Sequence, residues 1–369
     1  MRRSIEAVSD ALLSLIGTFS GAEPPPRGPY VQSVSSSSAI VAWVDVEFGT
    51  GRVEYGKTPR LGHRELDVRA GKRHSVTLSY LEPATTYYYR VEGIGGASET
   101  VSFRTAPAWD DSHFSFAVVG DGGHGGKSQL AVATLLERLK PDLILHTGDV
   151  VYPSGEDRHY DPRFFMPYRE LIKSVPIFPV LGNHDVERMN GAAYLKNFYL
   201  PSNNPQNTER YYSFDWGGAH FVALDSELYY DDDGGSSEAQ KAWLESDLAD
   251  TSKPWKFVFF HRPIYSSSEH GSDEKLRKDL EPIFVRYKVN VVFSGHDHNY
   301  ERTVPIHGIT YVVAGGGGRD LYEAGRSEWT AFSRSVYHAV LVSVDGEHLS
   351  LEAVDTNGAR MDHSYLSCA

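Results

Sequence analysis

The chain has 369 residues, 40% of them hydrophobic and 12% aromatic, enough to bury more than one core. With 36 Lys and Arg against 49 Asp and Glu, its formal net charge is −13, which excludes the broad basic field that non-specific nucleic-acid or membrane-surface binding requires. Its one cysteine, Cys368, excludes an intramolecular disulfide, a Cys-based zinc site and an iron–sulfur cluster, and no apolar run approaches the roughly 18 residues of a membrane-spanning helix.

Residues 1–29 form an N-terminal segment and linker. Met1-Arg2-Arg3, the apolar stretch Ala11 to Gly17 and the small residues Ser20-Gly21-Ala22 fit a signal peptide. Glu6 and Asp10 break its basic leader, so an uncleaved amphipathic helix fits as well. The proline run Pro24 to Pro26 reads as a stiff linker. From 30 to 106 short β-rich runs alternate with turn residues: Ala39–Val44, Gly51–Tyr55, Ser75–Tyr80 and Tyr87–Val91. Leu81 to Tyr87 resembles the tyrosine corner of fibronectin type III-like sandwiches. An all-β sandwich without chemistry of its own is expected there.

Residues 107–369 change to strands alternating with helical stretches, the pattern of an α/β fold. Helical periodicity runs through Gln129–Leu139, Glu238–Leu248 and Glu274–Tyr287, and hairpins are expected around Gly217-Gly218 and Asp345-Gly346. Five apolar runs end in polar residues. Ser115–Val119 leads to Asp121, Leu143–Thr147 to Asp149 and Tyr152, and Val175–Leu181 to Asn183 and His184. Phe257–Phe260 leads to His261, and Val289–Phe293 to His296 and His298. Singly, each has a plain alternative: a turn aspartate, a helix cap, a packed tyrosine or a core histidine. Five strands delivering such residues to one rim, where open α/β sheets bind ligands, make a site.

The donor types indicate two metal ions. Two-metal hydrolases hold their ions about 3.5–4 Å apart and need a bridging carboxylate, for which Asp149 is placed centrally. Asp121 and Tyr152 are anionic oxygen donors suited to a hard ion such as Fe(III), with His298 completing that set. Asn183, His261 and His296 are neutral donors suited to a divalent ion such as Zn, Mn or Fe(II).

The series Asp121-x-Gly123, Gly148-Asp149-x-x-Tyr152, Gly182-Asn183-His184-Asp185, Val258-x-x-His261 and Gly295-His296-x-His298 resembles the purple acid phosphatase branch of the calcineurin-like metallophosphoesterases, over residues 114 to 355. Other metallophosphoesterases carry a histidine at the place of Gly123 and no tyrosine at that of Tyr152. The resemblance implies the same partition of ligands about Asp149 and an αββα-type sandwich. It also implies hydrolysis of phosphate monoesters by a metal-generated hydroxide, with His184 and His270 as catalytic residues on the substrate side. Family members often have a second histidine after His270; here Gly271 stands instead. A phosphodiesterase acting on nucleotides or lipid head groups uses the same motifs and is the alternative activity; a relict, non-catalytic scaffold is the third. A small phosphate ester is the expected partner, and the family resemblance implies a periplasmic or secreted location. Asp185 is expected to be structural. Arg262 and Arg302 fit either charge neutralisation at the rim or ion pairs, and Asp231-Asp232-Asp233, if near the rim, would repel highly phosphorylated substrates.

Overall fold

The computed structural model describes residues 27–93, 96–230 and 235–368. The signal-like stretch and the Asp231–Asp233 run lie outside the described residues.

The N-terminal unit contains strands β1 (Tyr30–Gln32), β2 (Ser38–Gly56), β3 (His63–Ser79), β4 (Thr86–Gly93), β5 (Gly96–Ala97) and β6 (Val101–Arg104). The two runs expected as separate strands, Ala39–Val44 and Gly51–Tyr55, are one 19-residue strand. β3 pairs along it through two register shifts near Gly49, while β1 takes the first half of its other edge and β4 the second. All six strands therefore form one hydrogen-bonded system. The Tyr87 hydroxyl accepts the Glu82 N–H at 3.0 Å, as the tyrosine-corner resemblance implies. This unit docks on residues 161–199: Val31 N–H donates to the Ile172 carbonyl (2.9 Å), and Arg27 reaches Asp161 and Asn197, both at 2.7 Å.

The second unit runs β7 (His113–Val119), α1 (Lys127–Leu139), β8 (Leu143–His146), β9 (Ile177–Pro179), β10 (Tyr212–Trp216), β11 (Ala219–Ala223), α2 (Gly235–Asp250), β12 (Trp255–Phe259), α3 (Glu274–Arg286) and β13 (Val291–Ser294). There follow β14 (Tyr300–Thr303), β15 (Thr310–Ala314), β16 (Thr330–Arg334), β17 (His338–Asp345), β18 (His348–Asp355) and β19 (Arg360–Ser367). They build two sheets, one in the order β10-β11-β12-β13-β15-β14-β16 and one in the order β19-β18-β17-β7-β8-β9.

Alternation along the strands fixes which face each residue serves. Phe221 and Phe257 are partners across β11 and β12, and Phe293, two residues beyond Val291, the β13 partner of Phe257, lies on the same face; Phe116 of β7 packs edge-on against all three, at 5.2, 5.0 and 5.9 Å between ring centroids. The two sheets thus face each other through an aromatic layer. Their chain neighbours Val222, Val258 and Val292, partners across the three strands, point the other way, into a second core with Leu244 and Leu248 of α2 and Leu276, Leu280 and Phe284 of α3. On the other sheet α1 turns Val132, Leu135 and Leu136, spaced i, i+3, i+4, inward. The result is the expected αββα layering. Strands β7, β8 and β9 run parallel, as do β11, β12, β13 and β15, so their C-terminal ends gather at one rim.

One ion cluster away from that rim has a measurable consequence. His220 on β11 sits with Nδ1 2.8 Å from Asp215 and Nε2 2.8 Å from Asp247 of α2, with Lys253 3.7 Å from Asp215. Burial opposes the imidazolium charge, but the two carboxylates outweigh it and lift the His220 pKa to about 9. The folded-state pKa lies above the ordinary value of 6.5, so the stabilisation is complete below pH 6.5 and is lost as pH rises through about 9. On the order of 2 kcal/mol is involved, discounted for the half-exposed Asp215. Thermal unfolding of wild type is expected to lose stability over that window, whereas His220→Asn should show a flat profile there. Equal slopes would contradict the triad.

Candidate metal centre

Each donor follows a strand whose C-terminal end meets the rim, and three of them sit where the chain turns sharply. Asp121, Asp149 and His296 have φ of 60°, 52° and 68°, a left-handed conformation uncommon for non-glycine residues and frequent at functional sites. Room for the donors is made by their glycine neighbours. A Cβ at Gly295 would stand 2.4 Å from Asp121 Oδ2, and one at Gly123 would stand 1.8 Å from the Val150 carbonyl oxygen. No side chain, histidine included, fits at position 123.

Two groups of donors result. In the first, the Tyr152 hydroxyl lies 3.2 Å from Asp121 Oδ1 and 3.1 Å from His298 Nε2, and His298 Nε2 is 3.6 Å from Asp121 Oδ1. In the second, His261 Nε2 lies 3.0 Å from Asn183 Oδ1 and 3.1 Å from His296 Nδ1. Asp149 Oδ1 approaches His261 Nε2 at 3.4 Å, and one ligand atom each of Asp121, Asp149 and His261 falls within a span of 4.8 Å. The seven residues expected as ligands therefore lie near one another in two groups, and Asp149 shares the 4.8 Å span of Asp121 from one group and His261 from the other.

The imidazoles are oriented from behind. His261 Nδ1 donates to the Thr147 carbonyl at 2.9 Å and His298 Nδ1 to the Asp320 carbonyl at 2.7 Å, which fixes the tautomer and leaves each Nε2 lone pair facing the site. His261 Nε2 then confronts Asn183 Oδ1 and Asp149 Oδ1 with no proton to share, an arrangement that a cation resolves. Electrostatics agree. Burial, reinforced by the neighbouring Asp149 charge, pushes Asp121 well above the usual carboxylate range. Burial holds His261 well below its ordinary value and His298 down at about 4, so both rings are neutral, as metal ligands must be. Two carboxylates and neutral imidazoles in a dry pocket fit a pair of positive ions.

Around this core the expected neighbours divide. His184 N–H donates to Asp149 Oδ1 at 3.0 Å, while its ring Nδ1 donates to the Pro153 carbonyl at 2.6 Å and Nε2 lies 3.9 Å from Asp149 Oδ2. His270 is exposed and stacks on His296 with centroids 4.2 Å apart. Asp185 is fully buried and accepts three backbone N–H groups, from Val150, Val151 and Gly182, at 3.0 to 3.1 Å; it is the structural brace of the Asp149 and Asn183 loops. Arg302 pairs with Asp362 at 2.7 Å within the sheets, and Arg262 is held by Glu227. The glycine run brings backbones together beneath the site, Gly317 N–H donating to the Gly120 carbonyl at 2.9 Å.

Two neighbours escaped sequence reasoning. Tyr322 stacks face to face on His298 at 4.1 Å, and the Arg319 guanidinium lies 5.2 Å over the Tyr152 ring. Both sit in a loop after the glycine run, where no spacing or strand end marks them.

Paired carboxylates and imidazoles at the rim of this two-sheet sandwich define a metal-dependent phosphoesterase scaffold. The calcineurin-like phosphoesterase family model matches residues 114–300, and the model of the purple acid phosphatase N-terminal domain matches residues 26–105. The chain belongs to the purple acid phosphatase family of calcineurin-like phosphoesterases. It is 32% identical to purple acid phosphatase 23 of Arabidopsis thaliana over 69% of this chain and 64% of the relative. It is 29% identical to phosphoenolpyruvate phosphatase of Allium cepa over 76% of this chain and 63% of the relative. The chain thus spans somewhat less than two thirds of the length of these relatives. The purple acid phosphatase from yellow lupin seeds shares its fold, with a TM-score of 0.80 at 23% identity over 92% of this chain and 74% of that one. The family is one of binuclear metallophosphatases. Among the described residues no helix is long and apolar enough to cross a membrane.

Proposed function

We propose that the chain hydrolyses phosphate monoesters at a binuclear centre. Asp121, Tyr152 and His298 would hold Fe(III), Asn183, His261 and His296 a divalent zinc, manganese or iron ion, and Asp149 both. The observation that carries this reading is the convergence of two donor sets of different charge on one carboxylate. Bound there, the ions supply Lewis-acid activation of water and of the phosphate.

The chain's own groups do the rest. Asp149 and the buried tyrosine–aspartate pair set the spacing and the charge, and the carbonyls of Thr147 and Asp320 keep His261 and His298 aimed. With Nδ1 committed to the Pro153 carbonyl, His184 presents Nε2 to the phosphate. His270, standing over His296, faces the leaving group. Gly271 adds no side chain beside it, so His270 acts there alone as proton donor to the departing alcohol. One relative is named a phosphoenolpyruvate phosphatase, and phosphoenolpyruvate is a phosphate monoester, which favours the monoester over the diester reading. Placement outside the cytoplasm belongs to the same proposal and rests on the family resemblance.

Colour tests the ligand assignment. A tyrosinate bound to Fe(III) absorbs visible light by charge transfer, so iron-loaded wild type is expected to be coloured. Tyr152→Phe, which removes only the hydroxyl between Asp121 and His298, should be folded and colourless. A band that survives in Tyr152→Phe would refute the tyrosinate assignment.

A further inference from the structure

Beside His296 and His270 a pocket of about 350 Å³ opens to solvent, lined also by Tyr230, Arg262, Ser272 and Asp273. That is the small end of ligand pockets, the scale of a sugar rather than of a dinucleotide. Arg262 is its most organised member. Nε donates to both Glu227 oxygens at 2.9 and 3.1 Å, and Nη2 donates to Glu227 Oε2 at 2.9 Å. The guanidinium carbon also lies 4.5 Å over the Tyr230 ring. Tyr230 is itself pinned by its hydroxyl bond to Asp273 and by Lys275 on its ring. No described residue takes a hydrogen bond from Arg262 Nη1, so a rigid, charged donor edge is left at a pocket adjoining the centre.

The field around that edge is not suited to an anion. Glu227 neutralises Arg262, and Asp273 and Glu274 leave the lining acidic against Lys275. A neutral ion pair with its Nη1 N–H groups to spare suits an uncharged oxygen, whereas a leaving group bearing carboxylate or further phosphate meets net repulsion.

We infer that Arg262 is a specificity-determining residue and that the pocket receives the leaving group of the ester, an uncharged, hydroxyl-bearing alcohol of sugar size. This rests on the phosphomonoesterase reading. The test compares kcat/KM of metal-loaded wild type, Arg262→Met and Arg262→Lys on glucose 6-phosphate, 3-phosphoglycerate and phenyl phosphate. Wild type is expected to favour glucose 6-phosphate over 3-phosphoglycerate by about tenfold or more. In Arg262→Met the ratio of glucose 6-phosphate to phenyl phosphate is expected to fall about tenfold, the usual weight of one hydrogen bond from a charged donor. Arg262→Lys keeps the charge opposite Glu227 but loses the fork, and should show the same fall; it decides the matter if the methionine variant does not fold. A wild type that prefers 3-phosphoglycerate, or a ratio unchanged in the folded variants, overturns the inference alone. No turnover of any of the three esters by wild type overturns the phosphatase reading and the inference with it.

Discussion

Asp149→Ala is expected to abolish turnover of aryl phosphate, with kcat/KM falling by about 10³-fold or more and no recovery at higher metal concentration. The size of the effect follows from what one side chain does. Asp149 Oδ1 accepts the His184 N–H at 3.0 Å and approaches His261 Nε2 at 3.4 Å, and it is almost wholly buried, with 1% exposure. Removing it takes away the carboxylate proposed to serve both donor sets. The two donor sets would then lose an anionic charge that balances the ions they would hold, weakening the binding of at least one ion and with it the Lewis-acid chemistry it would supply. Stability should change far less than activity, because truncating Asp149 also relieves repulsion on Asp121. Steady-state assays together with a thermal melt separate the two. A variant that keeps a tenth of wild-type activity would exclude the bridging role.

The second large effect is on stability. Asp185→Ala is expected to cost roughly 3–5 kcal/mol, because three buried backbone N–H groups, those of Val150, Val151 and Gly182, lose their common acceptor. Asp185→Asn should recover part of this, since one amide oxygen still accepts while the NH₂ opposes another N–H. Chemical denaturation of the three proteins measures the order directly. Since Asp185 ties the Asp149 loop to the turn bearing Asn183, metal affinity should fall in the same order. Equal stability of wild type and Asp185→Ala would remove Asp185 as the brace.

Much of this was legible in the sequence because the candidate ligands stand at strand ends or in the loops that directly follow them. Apolar runs such as Phe257–Phe260 and Val289–Phe293 identify buried strands, and glycine turns after them place Asp149, Asn183 and His296 at one edge. The tyrosine at 152 and the glycine at 123 carried the distinction between branches of the family, and Gly123 proves to leave no space for a side chain. What was not legible depends on partners distant in the chain. β14 looks polar because Glu301 interrupts it, yet Glu301 is buried, satisfied by Ser267 and Thr330. β2 looked like two strands because Gly49 and Gly51 punctuate it; pairing with β3 carries it across the irregularity. β19 completes the sheet edge from an alternating polar tail, Arg360–Ser367. Tyr322 over His298 and Glu227 beneath Arg262 are long-range pairings of ordinary residue types, and nothing local announces either.

The most direct measurement of the central claim is the metal content of purified, iron- and zinc-reconstituted protein by elemental analysis, for wild type and Asp149→Ala side by side. Two tightly held ions per wild-type chain, falling to one or none in the variant while the fold is retained, is the expected result. One ion or none in well-folded wild type, or two in Asp149→Ala, would contradict a binuclear centre bridged by that carboxylate.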